Sequence, residues 1–567
     1  MKQLFLFLSL TLLFSQAPSR PAPDFGPPVR GLMQLTGTFG ELRGNHFHGG
    51  IDIRGGVGRS LFAIADGFVS RVKVSVSGYG QALYLQHPSG YTSVYGHMNR
   101  FRADIADTVK NLQYRQETFK LDHQFPPGLF PVKKGDLIGF IGQRGFVSGP
   151  HLHFEIRDTE TERLLNPMNF GITVADHRRP FINAVRLYEL SERGQVLSGR
   201  DYAARERSRG QYALRPDTLW VQTPTFGLAI KSYDQQDGRP NFNGIYSQKM
   251  WQDDSLRFQY FMDDFDGRQT RYLNAHLDYA EQRLNNSWYQ RSYCMPGNEL
   301  DFYQMDAAEG RLTLAPGQAT TIRYRISDHM GNVARMQLVV KRRAEAATLL
   351  NPVYTYYFPY DERNVINDGK VYADFPLGTL YEDLYLDYDQ VTETTDGLFS
   401  HVHRFGRSTT PLHRSFELRI SPTQVPDWLR DKAIIAQCDD GDAPVSYGGT
   451  WTDDGQLRAR VRKLGNYAIM LDTEAPTITP NRFGQDMRGW SSFSFFLDDN
   501  FPTAGAARGL RFRAEVDGQW ILMEYDGRSR RLYHTFDGRI RPGQHELVLR
   551  VVDDRENETV LRERFVR

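Results

Sequence analysis

Short runs in which apolar and polar residues alternate recur along almost the whole chain. Phe68-Val-Ser-Arg-Val-Lys-Val, Ala82-Leu-Tyr-Leu-Gln-His, TTIRYRISD ending at Asp328 and HELVLRVVD ending at Asp553 are four of them. A period of two places successive side chains on opposite faces of an extended backbone, so these runs are strands with one face buried. Tyr and Phe are abundant (29 and 36 residues), which suits sheet structure, and 50 glycines punctuate the runs. The expected class is mainly β. A small antiparallel sheet domain should lead, followed by several β-sandwich (Ig-like) modules.

At 567 residues the chain is too long for one core. One domain per ~150 residues suggests about four. Residues 1–16, with Lys2 followed by an apolar run from Leu4 to Phe14, read as a signal peptide and not as a membrane span. Residues 17–30 hold Pro18, Pro21, Pro23, Pro27 and Pro28 and read as an extended lead-in. A Gly-rich, strand-bearing domain covers 31–175, within which 100–122 has helical character. A repeat divides the rest. Asp176-His-Arg-Arg-Pro180 matches Asp472-Thr-Glu-Ala-Pro476, and Pro316-Gly-Gln precedes Asp328 by the spacing at which Pro542-Gly-Gln precedes Asp554. The expected units are thus a sandwich with an insertion at 176–345, a β-rich module at 346–471 and a C-terminal sandwich at 472–567. For the repeated Asp328 and Asp554, turn capping is favoured over calcium binding.

Lys+Arg is 69 against 68 Asp+Glu, and this balance gives no reason to expect nucleic acid as a partner. No later segment looks like a membrane span. The only cysteines, Cys294 and Cys438, cannot form a tetrahedral thiolate site and are expected as buried, unpaired thiols.

Five residues of the first domain carry chemistry. His48-Gly-Gly-Ile-Asp52 offers an imidazole and a carboxylate. His97 ends the predicted hairpin strand, and His151-Leu-His153 lies on the next strand. On a strand, residues i and i+2 share a face, so His151 and His153 project together while Leu152 and Phe154 enter the core. The same rule predicts Ser93, Tyr95 and His97 on one face, with Val94 and Met98 inward. Imidazole and carboxylate are the donors of catalytic zinc, which takes three protein ligands and leaves one position open.

At these residues the chain resembles the lysostaphin/LytM zinc metallopeptidases. The segments that carry the resemblance are HGGID (48–52), YGH (95–97) and GPHLHFE (149–155), supported by AIADGFVSRV (63–72), GYG (78–80) and VKKGDLIGFIGQRG (132–145). It covers about 31–168. The long β-rich tail is similar to that of exported Bacteroidetes-type members. The resemblance implies one zinc per chain held by His48, Asp52 and His153, with His97 and His151 as the catalytic pair. It implies peptidoglycan stem peptides as substrate, cleaved by activated water. Glu155 is a candidate for orienting an imidazole, and Tyr95 for touching substrate or, equally, for packing beside the site. The 100–131 segment is longer than in compact members and is read as a helical flap that shapes the groove, with its closure over the site left open. The protein is expected in the periplasm or cell envelope, or outside the cell, with envelope proteins as candidate partners of the β modules. The rival readings are a non-catalytic activator of wall amidases, a peptidase for Gly-rich protein segments, and a structural exported protein. His401 and His403, an isolated His-x-His pair, are read as an exposed strand face without metal.

Overall fold

The computed structural model describes residues 23–145, 147–345, 353–392, 397–439 and 441–567. The expected signal segment lies outside them. Strand makes up 45% of the structure and helix 8%, and the longest helix among the described residues is Ala103–Gln116.

The first domain is built on an antiparallel sheet. Its strands run, in spatial order, Leu35–Gly37, Ile51–Arg54, His151–Asp158, Tyr91–Gly96, Gln81–Gln86, Gly67–Val74 and Leu121–Gln124. The register places His153 opposite both Asp52 and Gly96, and Phe154 opposite Tyr95. Directly paired residues share a face, so the sheet has two distinct sides. Ile51, Ile53, Leu83, Tyr95, Leu152 and Phe154 fill the core side. Asp52, His153 and Glu155 stand on the other. A three-stranded sheet (Ser60–Phe62, Leu137–Ile141, Met98–Phe101) belongs to the same core, contributing Leu61, Ile138 and Met98.

The Ala103–Gln116 helix corrects the expectation of a flap. It buries Ile105, Val109 and Gln113 and packs beside the Met98–Phe101 and Leu121–Gln124 strands. Its polar side meets the C-terminal part of the chain. Lys110 Nζ lies 3.0 Å from Asp537, Tyr114 donates to Asp537 at 2.8 Å, and Arg539 stacks over the Tyr114 ring. The segment is a strut between two parts of the chain, not a cover for the histidines.

The strands from Phe181 to Arg342 form one large sheet folded on itself, in which the long Val196–Ser208 strand passes from one half to the other. This body is continuous with the first domain. Leu164–Leu165 pairs with Asp264–Phe265, and Phe265 packs against Phe39 and Phe47. Between Asn364 and Leu471 two five-stranded sheets enclose Phe375, Phe405, Phe416 and Tyr467. From Thr477 to Val566 two four-stranded sheets enclose Phe493, Phe495, Leu547 and Leu549.

Cys294 and Cys438 do not pair with each other. Cys294 is buried, whereas Cys438 is half-buried with its thiol directed at the Asn466 carbonyl. His403 departs from its reading as an exposed residue: it is fully buried, with Nδ1 2.9 Å from the Tyr388 hydroxyl. Among the described residues no helix is long and apolar enough to cross a membrane.

Candidate metal centre

His48, Asp52 and His153 meet on the polar side of the central sheet. His48 Nε2, His153 Nδ1 and Asp52 Oδ1 form a triangle with all three edges at 3.0 Å. The sequence builds this locally. His153 and Asp52 are cross-strand neighbours, and the Gly49-Gly50 turn returns His48 beside them. Gly50 must be glycine, because a Cβ there would meet the Phe154 carbonyl oxygen at 2.2 Å.

The outer nitrogen of each imidazole is fixed by an acceptor. His48 Nδ1 donates to the Thr38 carbonyl at 2.7 Å, and His153 Nε2 to Glu155 Oε1 at 2.8 Å. In its neutral form each ring turns a lone pair toward the other and toward the Asp52 carboxylate, which is the form in which an imidazole binds a metal. Three acceptors facing each other at 3.0 Å need a positive charge between them. Ligands placed tetrahedrally at the ~2.0–2.1 Å of zinc–nitrogen and zinc–oxygen bonds lie about 3.3 Å apart, so the donor set fits such an ion with little adjustment.

Two more imidazoles complete the site. His151 Nδ1 donates to the Gly149 carbonyl, leaving Nε2 3.5 Å from Asp52 Oδ1. His97 Nδ1 donates to the Arg144 carbonyl at 2.9 Å, and the His97 and His151 rings lie 4.8 Å apart, edge to face. Burial and the adjacent His153 and His151 push His97 down to about 3, so it is a neutral imidazole at neutral pH. Asp52 is held well below the usual carboxylate range. Burial opposes this and is outweighed by the three surrounding histidines.

Of the positioning residues, Arg43 and Arg157 lie outside the motifs read in the sequence, whereas Glu155 and Tyr79 lie within the GPHLHFE and GYG segments. Arg43 donates to Asp52 Oδ2 at 2.8 Å. Glu155 has no solvent exposure and joins His153, the Tyr79 hydroxyl and Arg157, whose guanidinium lies 2.6 Å away. Burial would raise the Glu155 pKa, but Arg157 and His153 hold it at about 2. The Tyr79 ring also stacks on His153 at 5.1 Å. Tyr79 sits in the GYG segment, whose glycines have a clear role. A Cβ on Gly80 would meet the Arg144 backbone at 2.3 Å, so the 78–80 and 142–145 turns touch backbone to backbone. The Arg144 side chain is gripped by Glu524 and Tyr533 of the C-terminal sheets, and Arg528 donates to the Val147 carbonyl.

Tyr95 is the correction. It lies on the core side, fully buried, donating to the Phe62 carbonyl at 2.9 Å and accepting from the Ile64 amide at 3.2 Å. Strict alternation would carry His97 to that side as well. His97 instead adopts a left-handed backbone, φ 58°, between two strands, and this break turns its ring to the polar side. Tyr95→Phe should cost about 1–3 kcal/mol by leaving the Ile64 amide unpaired. Denaturant unfolding should show that loss, while metal content and the four imidazoles stay as in the parent. A changed metal content with unchanged stability would contradict the placement.

Comparison with known proteins finds relatives for parts of the chain. Residues 46–114 match the family model described as Peptidase family M23, and residues 355–472 match that of a Zu5-like domain. Over 110 residues the chain is 30% identical to the DD-carboxypeptidase/endopeptidase Mpg of Neisseria meningitidis serogroup B, covering 19% of this chain and 20% of that one. Over 152 residues it is 30% identical to the murein hydrolase activator NlpD of Escherichia coli, covering 27% and 32%. The chain thus spans less than a third of the length of these curated relatives. Among solved structures it is similar to the catalytic domain of the prophage-encoded M23 protein EnpA from Enterococcus faecalis. That match has 28% identity and a TM-score of 0.19, covering 26% of this chain and 97% of that one. The first domain is a peptidase M23 domain of the LytM type, and β modules follow it.

Proposed function

We propose that the protein is an exported zinc metalloendopeptidase that hydrolyses peptide cross-links of bacterial peptidoglycan. The observation that carries this reading is the triangle of nitrogen and oxygen donors from His48, Asp52 and His153, with two further imidazoles on the same side. Zinc held there supplies Lewis acidity at the scissile carbonyl and eases deprotonation of water at neutral pH. His48, Asp52 and His153 hold the ion. Arg43 and Glu155 fix the orientation of two of those ligands. His151 and His97, each with its Nδ1 proton held by a backbone carbonyl, present Nε2 atoms that would take a proton from water and, once protonated, donate it to the developing oxyanion or the leaving amine. The likeness to the DD-carboxypeptidase/endopeptidase Mpg supports the peptidase reading, and the likeness to the murein hydrolase activator NlpD supports the alternative, activation of a separate wall hydrolase.

The test is digestion of purified, cross-linked wall by the full chain, first stripped of metal and then restored with zinc. The restored protein should convert cross-linked muropeptide dimers to monomers, and the stripped protein should not. Release of nothing by the zinc-loaded protein, together with faster release by an added amidase, would replace the peptidase reading with the activator one.

A further inference from the structure

Two other groups of carboxylates come together in the described chain, and they occupy equivalent places in two different modules. In the first, Asp176 precedes the Phe181–Leu190 strand, Asp234 follows the Thr225–Tyr233 strand and Asp328 follows the Ala319–Ser327 strand. In the second, Asp472 precedes Thr477–Arg482, Asp499 follows Ser492–Asp498 and Asp553 follows Gln544–Val552. Within each group one oxygen per residue lies within 4.8 Å of the others.

The scaffolds match bond for bond. Asn332 donates to Asp328 at 2.8 Å and to the Asp176 carbonyl at 3.1 Å. Asn557 donates to Asp553 at 2.7 Å and to the Asp472 carbonyl at 3.0 Å. Asp553, not Asp554, is therefore the counterpart of Asp328. Asp554 instead pairs with Arg555 and Arg508. The turn-capping reading of Asp328 holds as far as these asparagine bonds go, but it does not account for the rest of the group.

What remains is uncompensated charge. Asp234 is 3% exposed and Asp472 2% exposed, and Oδ1 of each is buried without a hydrogen-bond partner, as is Oδ1 of Asp499. Arg178 and Lys432, whose charges reach Asp234 and Asp472, spend their side-chain donors elsewhere: Arg178 donates to the Arg239 carbonyl, and Lys432 to the Arg555 carbonyl and to Asn557. A buried carboxylate oxygen without a donor is costly, and three carboxylates together more so. Burial and the adjacent Asp328 and Asp176 push Asp234 up to about 8.

We infer that each carboxylate trio is a site for a divalent cation, calcium by its donor chemistry, so that the chain binds two such ions apart from the histidine centre. The donors are all hard oxygens, with no nitrogen or sulfur to favour zinc, and calcium completes its 6–8 oxygen shell from backbone carbonyls and water. Each trio joins the linker entering a module to two strand ends of that module. A bound ion thus fixes how the first sandwich leaves the peptidase domain, and how the C-terminal one leaves the Zu5-like region.

The experiment is calcium binding by the full, zinc-loaded chain in equilibrium dialysis, with thermal unfolding in calcium and in a calcium-selective chelator. Two calcium ions per chain should bind, saturating by about 1 mM, as extracellular calcium modules do. The melting temperature should rise by several degrees in calcium. Asp234→Asn and Asp499→Asn should each lose one ion, and the double variant both, with zinc content unchanged. In chelator these near-isosteric, neutral variants should melt no lower than the parent, because each removes like-charge repulsion. Less than one bound calcium in the parent at about 5 mM calcium would overturn the inference without recourse to any variant. So would two ions bound by a folded double variant.

Discussion

Replacing His153 with alanine is expected to remove bound zinc and bring wall hydrolysis to background. His151→Ala should keep about one zinc per chain and lose ~10²–10⁴ in rate. The contrast follows from geometry alone. His153 Nδ1 is one corner of the donor triangle, whereas His151 Nε2 stands 3.5 Å from Asp52 Oδ1 and outside it. Metal analysis and muropeptide release on the same preparations decide the matter. Loss of zinc in His151→Ala with retention in His153→Ala would reverse the assignment. Equal loss in both would mean that four groups, not three, hold the ion.

The second large effect is expected at Glu155. Glu155→Ala should destabilise the fold by about 3–5 kcal/mol, because it leaves the Arg157 guanidinium without its buried carboxylate. Arg157 is itself mostly buried, with 15% of its side chain exposed, so water compensates only in part. The same change frees His153 Nε2 from its acceptor and should weaken metal affinity about 10–100-fold. Glu155→Gln keeps the shape and an oxygen for His153 but removes the charge. It should recover more of the metal affinity than of the stability. Denaturant unfolding and a zinc titration read the two quantities separately. Parallel loss of both in the glutamine variant would show that the charge, not the hydrogen bond, orients His153.

How much of this was legible in the sequence depended on whether local rules sufficed. The i, i+2 rule placed His151 and His153 together because their strand is regular from His151 to Asp158. It failed at Tyr95 and His97 because the chain leaves the strand between them, and no residue type announces a left-handed φ at a histidine. The repeat was readable, yet its register was off by one, Asp554 for Asp553. The shared spacing was counted from Pro-Gly-Gln, whereas the structure aligns on the asparagine four residues after each aspartate. The helix at 103–116 was visible from its pattern. Its purpose was not, because that rests on Asp537 and Arg539, more than four hundred positions away. Such pairings are set by the closing of the whole chain, and no window of sequence contains them.

That long closure also gives the molecule an order of events. The carbonyl that holds His97 belongs to Arg144, and the side chain of Arg144 is gripped by residues at 524 and 533, a separation of 380 positions or more. A chain delivered N-terminus first has all five of its reactive side chains long before it has that grip. Contacts across so many residues also form late on entropic grounds. The last strands made thus brace the turn whose carbonyl orients one of the first residues that matter.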